Sequence, residues 1–263
     1  MMQREASRDG AIPNTALVTG GGKRIGRAIA LALGRAGWSV GVHYATSRAE
    51  AEAVCREVEA AGGAAAPIRA DLGEADEAAG LLPAVAATLG PVGLLVNNAS
   101  IFEGPDWRAM TAAEIDAHMA VNFRAPLLLM QDFARALPDD AAGAIVNLID
   151  QRVWNLTPHF PAYTASKAAL WAATRQMALA LAPRIRVNAV GPGPTLQGAR
   201  QTAGQFEAQW RAVPLARQTQ PEEVADAVLY LAGARAVTGQ MLALDGGEHL
   251  GWRQDSDGAA AVE

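Results

Sequence analysis

The stretch Thr15-Ala16-Leu17-Val18-Thr19-Gly20-Gly21-Gly22-Lys23-Arg24-Ile25-Gly26 decides how the chain is read. A short apolar run with strand character, 15–19, meets three consecutive glycines, and a helical pattern follows over about 24–36. Glycines let a backbone turn tightly and approach a pyrophosphate, while the next helix presents free N–H groups and a positive dipole end. A glycine-rich strand-to-helix turn without a ligand would read the same, so this stretch alone leaves both open.

Working outward, apolar runs rich in β-branched residues alternate with helical patterns. Strands are expected at 39–44, 64–70, 92–96, 144–149, 185–190 and 241–244, and helices at 49–61, 74–89, 111–137, 162–182 and 221–233. Thr111 and Glu114 have the spacing of a capping box. Such alternation implies βαβ units and a parallel sheet with right-handed crossovers. The expected fold is α/β: a single-domain, Rossmann-like, doubly wound parallel sheet of about seven strands. Residues 1–13 are expected to form a flexible N-terminal segment, 14–252 the domain, and 253–263 a flexible tail. The long irregular stretch 191–220 reads as a substrate loop or lid.

Composition narrows the function. The 263 residues carry 22 Lys+Arg against 27 Asp+Glu, a net charge of −5, which offers no general attraction to nucleic acid or an anionic membrane. One cysteine, Cys55, excludes an internal disulfide and a multi-cysteine metal site. His43, His118, His159 and His249 lack metal-ligand spacing, so no metal is expected. The start of the chain is charged and has no apolar core of a secretory signal. Between Glu77 and Glu103 no residue is charged, but Pro83, Gly90, Pro91 and Gly93 break the span. It reads as a helix end, a turn and a buried strand rather than a membrane crossing, and a soluble cytoplasmic protein is expected.

Two clusters carry chemistry. Where an NAD site places an acid near the end of its second strand, this chain has His43-Tyr44-Ala45-Thr46-Ser47-Arg48. Arg48 and Arg24 with nearby hydroxyls suit a 2′-phosphate, which argues for NADPH, the alternative being that Arg48 begins a solvated helix face. Tyr163 and Lys167, four apart at the start of a helix, share one face. A neighbouring ammonium favours the phenolate and brings a tyrosine toward the working pH range.

Together these residues resemble the short-chain dehydrogenase/reductase family over about 14–250. The glycine turn, Asp71-Leu72, Asn97-Asn98-Ala99, Asn122, Tyr163 with Lys167, Pro192-Gly193 and Asp245-Gly246-Gly247 occur in that family's order and spacing. The resemblance implies hydride transfer with a nicotinamide cofactor. Tyr163 would be the general acid or base, Lys167 would hold the nicotinamide ribose and tune Tyr163, and Asn122 would support a proton relay. Gly20, Arg24, Ile25, Gly26, His43, Tyr44, Ser47 and Arg48 would bind the cofactor. So would Asp71 and Leu72 at the adenine, Asn98, Ala99 and Ser100 at the ribose side, and Pro192, Gly193 and Thr195.

Two departures point to one branch. Arg24 replaces the usual middle glycine, and thirteen residues before Tyr163, where a serine is usual, stands Asp150. Both are similar to the pteridine reductases, as are His43-Tyr44 and Asn98-Ala99-Ser100-Ile101-Phe102. That likeness implies substrate contacts from Arg24, Ser100, Phe102, Asp150 and Tyr163, with Phe102 stacking the ring. A carboxylate beside Tyr163 would oppose an alkoxide, yet it can exchange a proton with a ring nitrogen. Asp150 could instead be a strand-end acid paired with Arg152, and Phe102 could be packing. Trp154, Phe160, Phe206 and Trp210 could wall the pocket.

The expected activity is an NADPH-dependent reduction of a pterin- or dihydropterin/folate-like ring. The alternatives are a carbonyl reductase for a 3-oxoacyl chain or small ketone, and a non-catalytic NADPH sensor. A homotetramer pairing the 111–137 and Tyr163 helices is implied by the family resemblance.

Overall fold

A computed structural model of the chain describes residues 10–104 and 107–251. Of the ends expected to be flexible, 1–9 and 253–263 lie outside the described residues. Seven strands, β1 (Thr15–Val18), β2 (Ser39–Tyr44), β3 (Ala65–Arg69), β4 (Leu94–Asn97), β5 (Gly143–Leu148), β6 (Ile185–Pro192) and β7 (Met241–Leu244), form one sheet in the order β3-β2-β1-β4-β5-β6-β7. Every neighbouring pair is parallel, with Ala16 opposite Val40 on one side and Leu94 on the other. The chain therefore winds outward from β1 in one direction, then restarts at β4 in the other. Ligands of such sheets bind where that reversal opens a crevice at the strands' carboxyl ends.

Nine α-helices accompany the strands among the described residues: α1 (Arg24–Arg35), α2 (Arg48–Ala60), α3 (Ala75–Ala79), α4 (Leu81–Leu89), α5 (Ala112–Met119), α6 (Ala125–Ala136), α7 (Pro161–Ala180), α8 (Ala203–Ala212) and α9 (Pro221–Gly233). Alternation along the strands sorts the core into two halves. Ala16, Val18, Leu94 and Val96 point toward α1, α2 and α9, whereas Leu17 and Leu95 point toward α4, α6 and α7. Because both faces are covered, these strands are apolar at nearly every position, as parallel strands are. Phe133 on α6, at 1% exposure, is among the largest buried side chains, and truncating such a ring to alanine costs about 3–5 kcal/mol.

Three expected elements differ. The helix expected over 74–89 is two, α3 and α4, meeting at Gly80. The helix expected over 111–137 starts with its Thr111–Glu114 capping box but is interrupted by a π-helical turn, Ala120–Arg124. The irregular stretch 191–220 contains α8, opened by a second capping box between Thr202 and Gln205. Among the described residues, no helix is long and apolar enough to cross a membrane.

Candidate active site

The glycine turn is built on hydrogen bonds from its neighbours. Thr19, at 1% exposure, accepts the backbone N–H groups of Asn98 (2.9 Å) and Ala99 (3.0 Å) on its Oγ1. Asn98 returns a bond from Nδ2 to the carbonyl of Thr19 at 2.8 Å. Gly20 has φ +63, and a Cβ on Gly26 would lie 2.5 Å from Asn98 Nδ2 and closer still to the Gly20 carbonyl. Only glycine lets α1 start this close to the turn. The first turn of α1 has no acid and no side-chain cap, so its free N–H groups suit an anion. These features fit the phosphates of a dinucleotide.

His43 is buried beside the glycine turn. Its ring is 2% exposed, Nδ1 accepts the Gly20 N–H at 2.9 Å, and Nε2 meets the Ala70 carbonyl at 3.0 Å. This is the neutral ring with its proton on Nε2, and burial accordingly lowers its pKa. His43 thus joins the glycine turn to the β3–α3 connection from beneath. Leu72, at 4% exposure, belongs to the core, and Asp71 closes a turn by accepting the Gly73 N–H at 2.8 Å. Tyr44 is partly buried against the core. Ser47 caps no N–H of α2, and Arg48 is mostly exposed and paired with Glu52 at 2.7 Å. Lys23, paired with Glu50 at 2.7 Å, adds a cation beside this end that the sequence reading did not single out.

At the ends of β4, β5 and β6 the structure gathers the other candidates around a cavity of about 330 Å³. Arg24, Ile25, Asn98, Ser100, Phe102 and Asp150 line it, as do Tyr163, Lys167, Pro192, Gly193 and Thr195. Tyr163 Oη donates to Asp150 Oδ2 at 2.9 Å, and the Arg152 N–H holds Oδ1 at 2.8 Å. Desolvation raises the Asp150 pKa; Arg152, Tyr163 and Lys167 oppose the rise. Lys167, at 2% exposure, donates to the Leu148 carbonyl at 2.8 Å. Burial pushes its pKa down to about 8, with Asp150 pulling the other way. Carboxyl, phenol and ammonium therefore share one buried corner.

The π turn aims Asn122 into the protein, where it is fully buried. Its Oδ1 accepts from Ile101 N (2.9 Å) and Ser100 Oγ (3.1 Å), and its Nδ2 donates to Ile101 O (2.9 Å) and Ser166 Oγ (3.1 Å). It is a brace between the β4 loop and α7, one step behind the cavity wall. Phe102 stands on that wall, its ring centre 4.5 Å from Tyr163 and 4.6 Å from Phe160. Phe206 of α8 also lines the cavity. Trp154 packs instead on Trp171 and His249, and Trp210 carries Arg211 on its face.

The stretch expected to be a lid is held at residues 196–197 by Arg24, whose backbone is left-handed at φ 52 and whose guanidinium donates to the carbonyls of Leu196 and Gln197, both at 3.1 Å. Sequence reasoning missed α8, although Thr202-x-x-Gln205 is the capping-box signature that announces it. It also missed Thr19 as a joint, and Arg152 and Arg200 as wall residues. No short motif marks those three. Among the described residues, no cluster of His, Cys, Asp or Glu could hold a metal ion.

A family model described as Enoyl-(Acyl carrier protein) reductase matches residues 21–249. Among solved structures, the chain is similar to FolM alternative dihydrofolate reductase 1 from Brucella suis in complex with NADP. That match has 46% identity and a TM-score of 0.89, and it covers 93% of this chain and 98% of that one. The protein of the same name from Brucella canis, complexed with NADP, is 44% identical with a TM-score of 0.87, covering 94% of this chain and 99% of that one. A curated relative, the 3-oxoacyl-(acyl-carrier-protein) reductase FabG of Staphylococcus aureus, is 34% identical over 241 residues. The match covers 90% of this chain and 98% of that protein.

Proposed function

The chain belongs to the short-chain dehydrogenase/reductase family, and from that premise we propose that it is an NADPH-dependent reductase of a pterin- or dihydrofolate-like ring. The observation that carries this reading is the 2.9 Å hydrogen bond between the Tyr163 phenol and Asp150. An ionised carboxylate there would repel the alkoxide of a ketone reduction, whereas a ring nitrogen can exchange a proton with the carboxyl. The two FolM structures in complex with NADP support both the cofactor and the heterocycle. The basic side chains Arg24, Lys23 and Arg48 near the turn, with no carboxylate at the end of β2, support the 2′-phosphorylated cofactor.

Bound NADPH would supply a hydride. Asp150 and Tyr163 hold the proton that must accompany it. Burial keeps Asp150 protonated to higher pH than a free carboxylic acid, so it can present a proton to an imine nitrogen, with the phenol beside it as the next donor. Lys167, fixed by the Leu148 carbonyl, places positive charge beside Tyr163 and is positioned to hold a ribose hydroxyl. Asn122 acts through Ser100 and the Ile101 backbone, keeping the β4 loop in place. Phe102 offers the ring a flat apolar face. His43, Asp71 and Leu72 shape the cofactor cleft from behind.

The similarity to FabG favours a second reading, reduction of a 3-oxoacyl chain or another small ketone. Against it, the cavity carries Arg24, Asp150, Arg152, Arg200, Gln201 and Gln209 among its apolar lining residues, polar groups that an acyl chain would leave unpaired. Family membership under either reading carries a cytoplasmic homotetramer, and Leu179 on α7, 83% exposed, is an apolar side chain that such an assembly could cover.

A substrate panel with absorbance at the nicotinamide band tests the choice. NADPH should be consumed with a dihydropterin far faster than with ketones, and Tyr163→Phe should lower kcat by about 10²–10⁴-fold. Turnover of 3-oxoacyl substrates but not pterins would hand the site to the second reading. Tight NADPH binding with no acceptor consumed would make the protein a sensor.

A further inference from the structure

The outer rim of the cavity carries a charge that the reaction above does not use. Arg200 lies on the lid segment just before α8, is exposed, and lines the cavity. Its guanidinium carbon is 5.6 Å from the ring centre of Phe102 and 5.2 Å from that of Phe160. One of its N–H groups donates to the Phe102 carbonyl at 3.2 Å. Since Phe102 itself touches the Tyr163 ring, Arg200 stands one aromatic ring away from the phenol, on the same flat wall.

Among the described residues it has no carboxylate partner, and unlike Arg35, Arg56, Arg124 and Arg175, exposed arginines that also lack an ion pair, it stands on the cavity rim. Arg27, Arg48, Arg69, Arg135, Arg211 and Arg217 each sit within 3.5 Å of a carboxylate oxygen. Among the described residues no carboxylate is ion-paired with Arg200, not even Glu103 on the same rim. A guanidinium carries five donors in a planar fork that matches a carboxylate, and one bond to a carbonyl leaves most of that fork available. Two rings beneath it fix the plane and shield it on one side from water, which strengthens its pull on an anion.

We propose that Arg200 is a specificity-determining residue that receives a carboxylate carried on an arm of the substrate. The preferred substrates are then reducible nitrogen heterocycles bearing an anionic tail, rather than rings with a neutral side chain. The ring would lie in the inner corner against Phe102, and its arm would leave along that wall toward the lid. This rests on the pterin-type reading of the site proposed above.

The test compares dihydrofolate, whose arm ends in a glutamate, with dihydrobiopterin, whose side chain is uncharged, in the full-length protein with saturating NADPH. The native chain should prefer dihydrofolate in kcat/KM, and added salt should weaken that preference. Arg200→Gln should reduce the preference about tenfold, through KM for dihydrofolate and not kcat, and abolish its salt dependence. Arg200→Lys should restore a salt-sensitive part of it. Equal losses for both substrates, or an unaltered ratio, would show that Arg200 merely latches the lid to Phe102, and would overturn the inference alone. Failure of the native chain to oxidise NADPH with either ring would overturn the pterin reading, and this inference with it.

Discussion

On the glycine-turn side of the cavity, Thr19, His43 and Asn98 lock the backbone through at least five hydrogen bonds whose groups are largely withdrawn from water. On the lid side, α8 has no buried residue, and Gln201 and Gln209 meet amide to amide at 2.9 Å near the surface. Segments with few buried contacts and exposed hydrogen bonds open at low free energy, whereas buried networks open only with the whole fold. Under the function proposed above, the rigid wall would seat the nucleotide and the soft wall would meet the substrate.

The most damaging way to break this contrast is Gly26→Ala. The added methyl meets Gly20 and Asn98 with no room to yield, costing about 1–3 kcal/mol of stability. NADPH affinity, read by fluorescence titration, should fall by about ten- to a hundredfold. Near-native affinity would mean that the turn is as yielding as the lid.

Between the walls sits Lys167, whose pKa of about 8 gives activity and stability opposite slopes. Above that pH the folded chain loses the ammonium while the unfolded chain, near 10.5, keeps it. The unfolded state then binds more protons, so resistance to urea should rise from pH 8 to 10.5 in the free protein. Over the same window the phenol loses its neighbouring cation, and NADPH oxidation should fall. Lys167→Arg should push the fall to higher pH, and Lys167→Met should flatten the stability slope. Slopes of the same sign would contradict the buried ammonium.

The mildest probe is Thr202→Ala, which removes the cap of α8. It should weaken that helix by about 1 kcal/mol and leave global Tm within about a degree. Proteolytic nicking of the lid should quicken about fivefold, in proportion to the larger open population. A large drop in Tm would place α8 with the rigid wall.

How much of this was legible in the sequence follows the same division. The strands were readable because both faces of a parallel sheet demand β-branched apolar runs, and the strand-end motifs fell where those runs stop. The placement of Asp150 near Tyr163 was legible through the family resemblance, which marks the position thirteen residues before the tyrosine. The π turn was hidden, because one extra residue per turn leaves no trace in a helical pattern. His43 was expected among the cofactor-binding residues by resemblance; only coordinates reveal that Gly20 and Ala70 occupy both its nitrogens. Arg200 meets Phe102 across 98 residues of chain, a distance at which local pattern says nothing.

Position 24 has a further consequence for anyone re-engineering this scaffold. An arginine occupies a backbone conformation that glycine would adopt with less strain, by about 1 kcal/mol, and its reach to Leu196 and Gln197 is what that strain secures. Consensus redesign toward the family's commoner residue would therefore trade the tie between the glycine turn and residues 196–197 for robustness, and a screen that scores thermal tolerance alone would not register the loss.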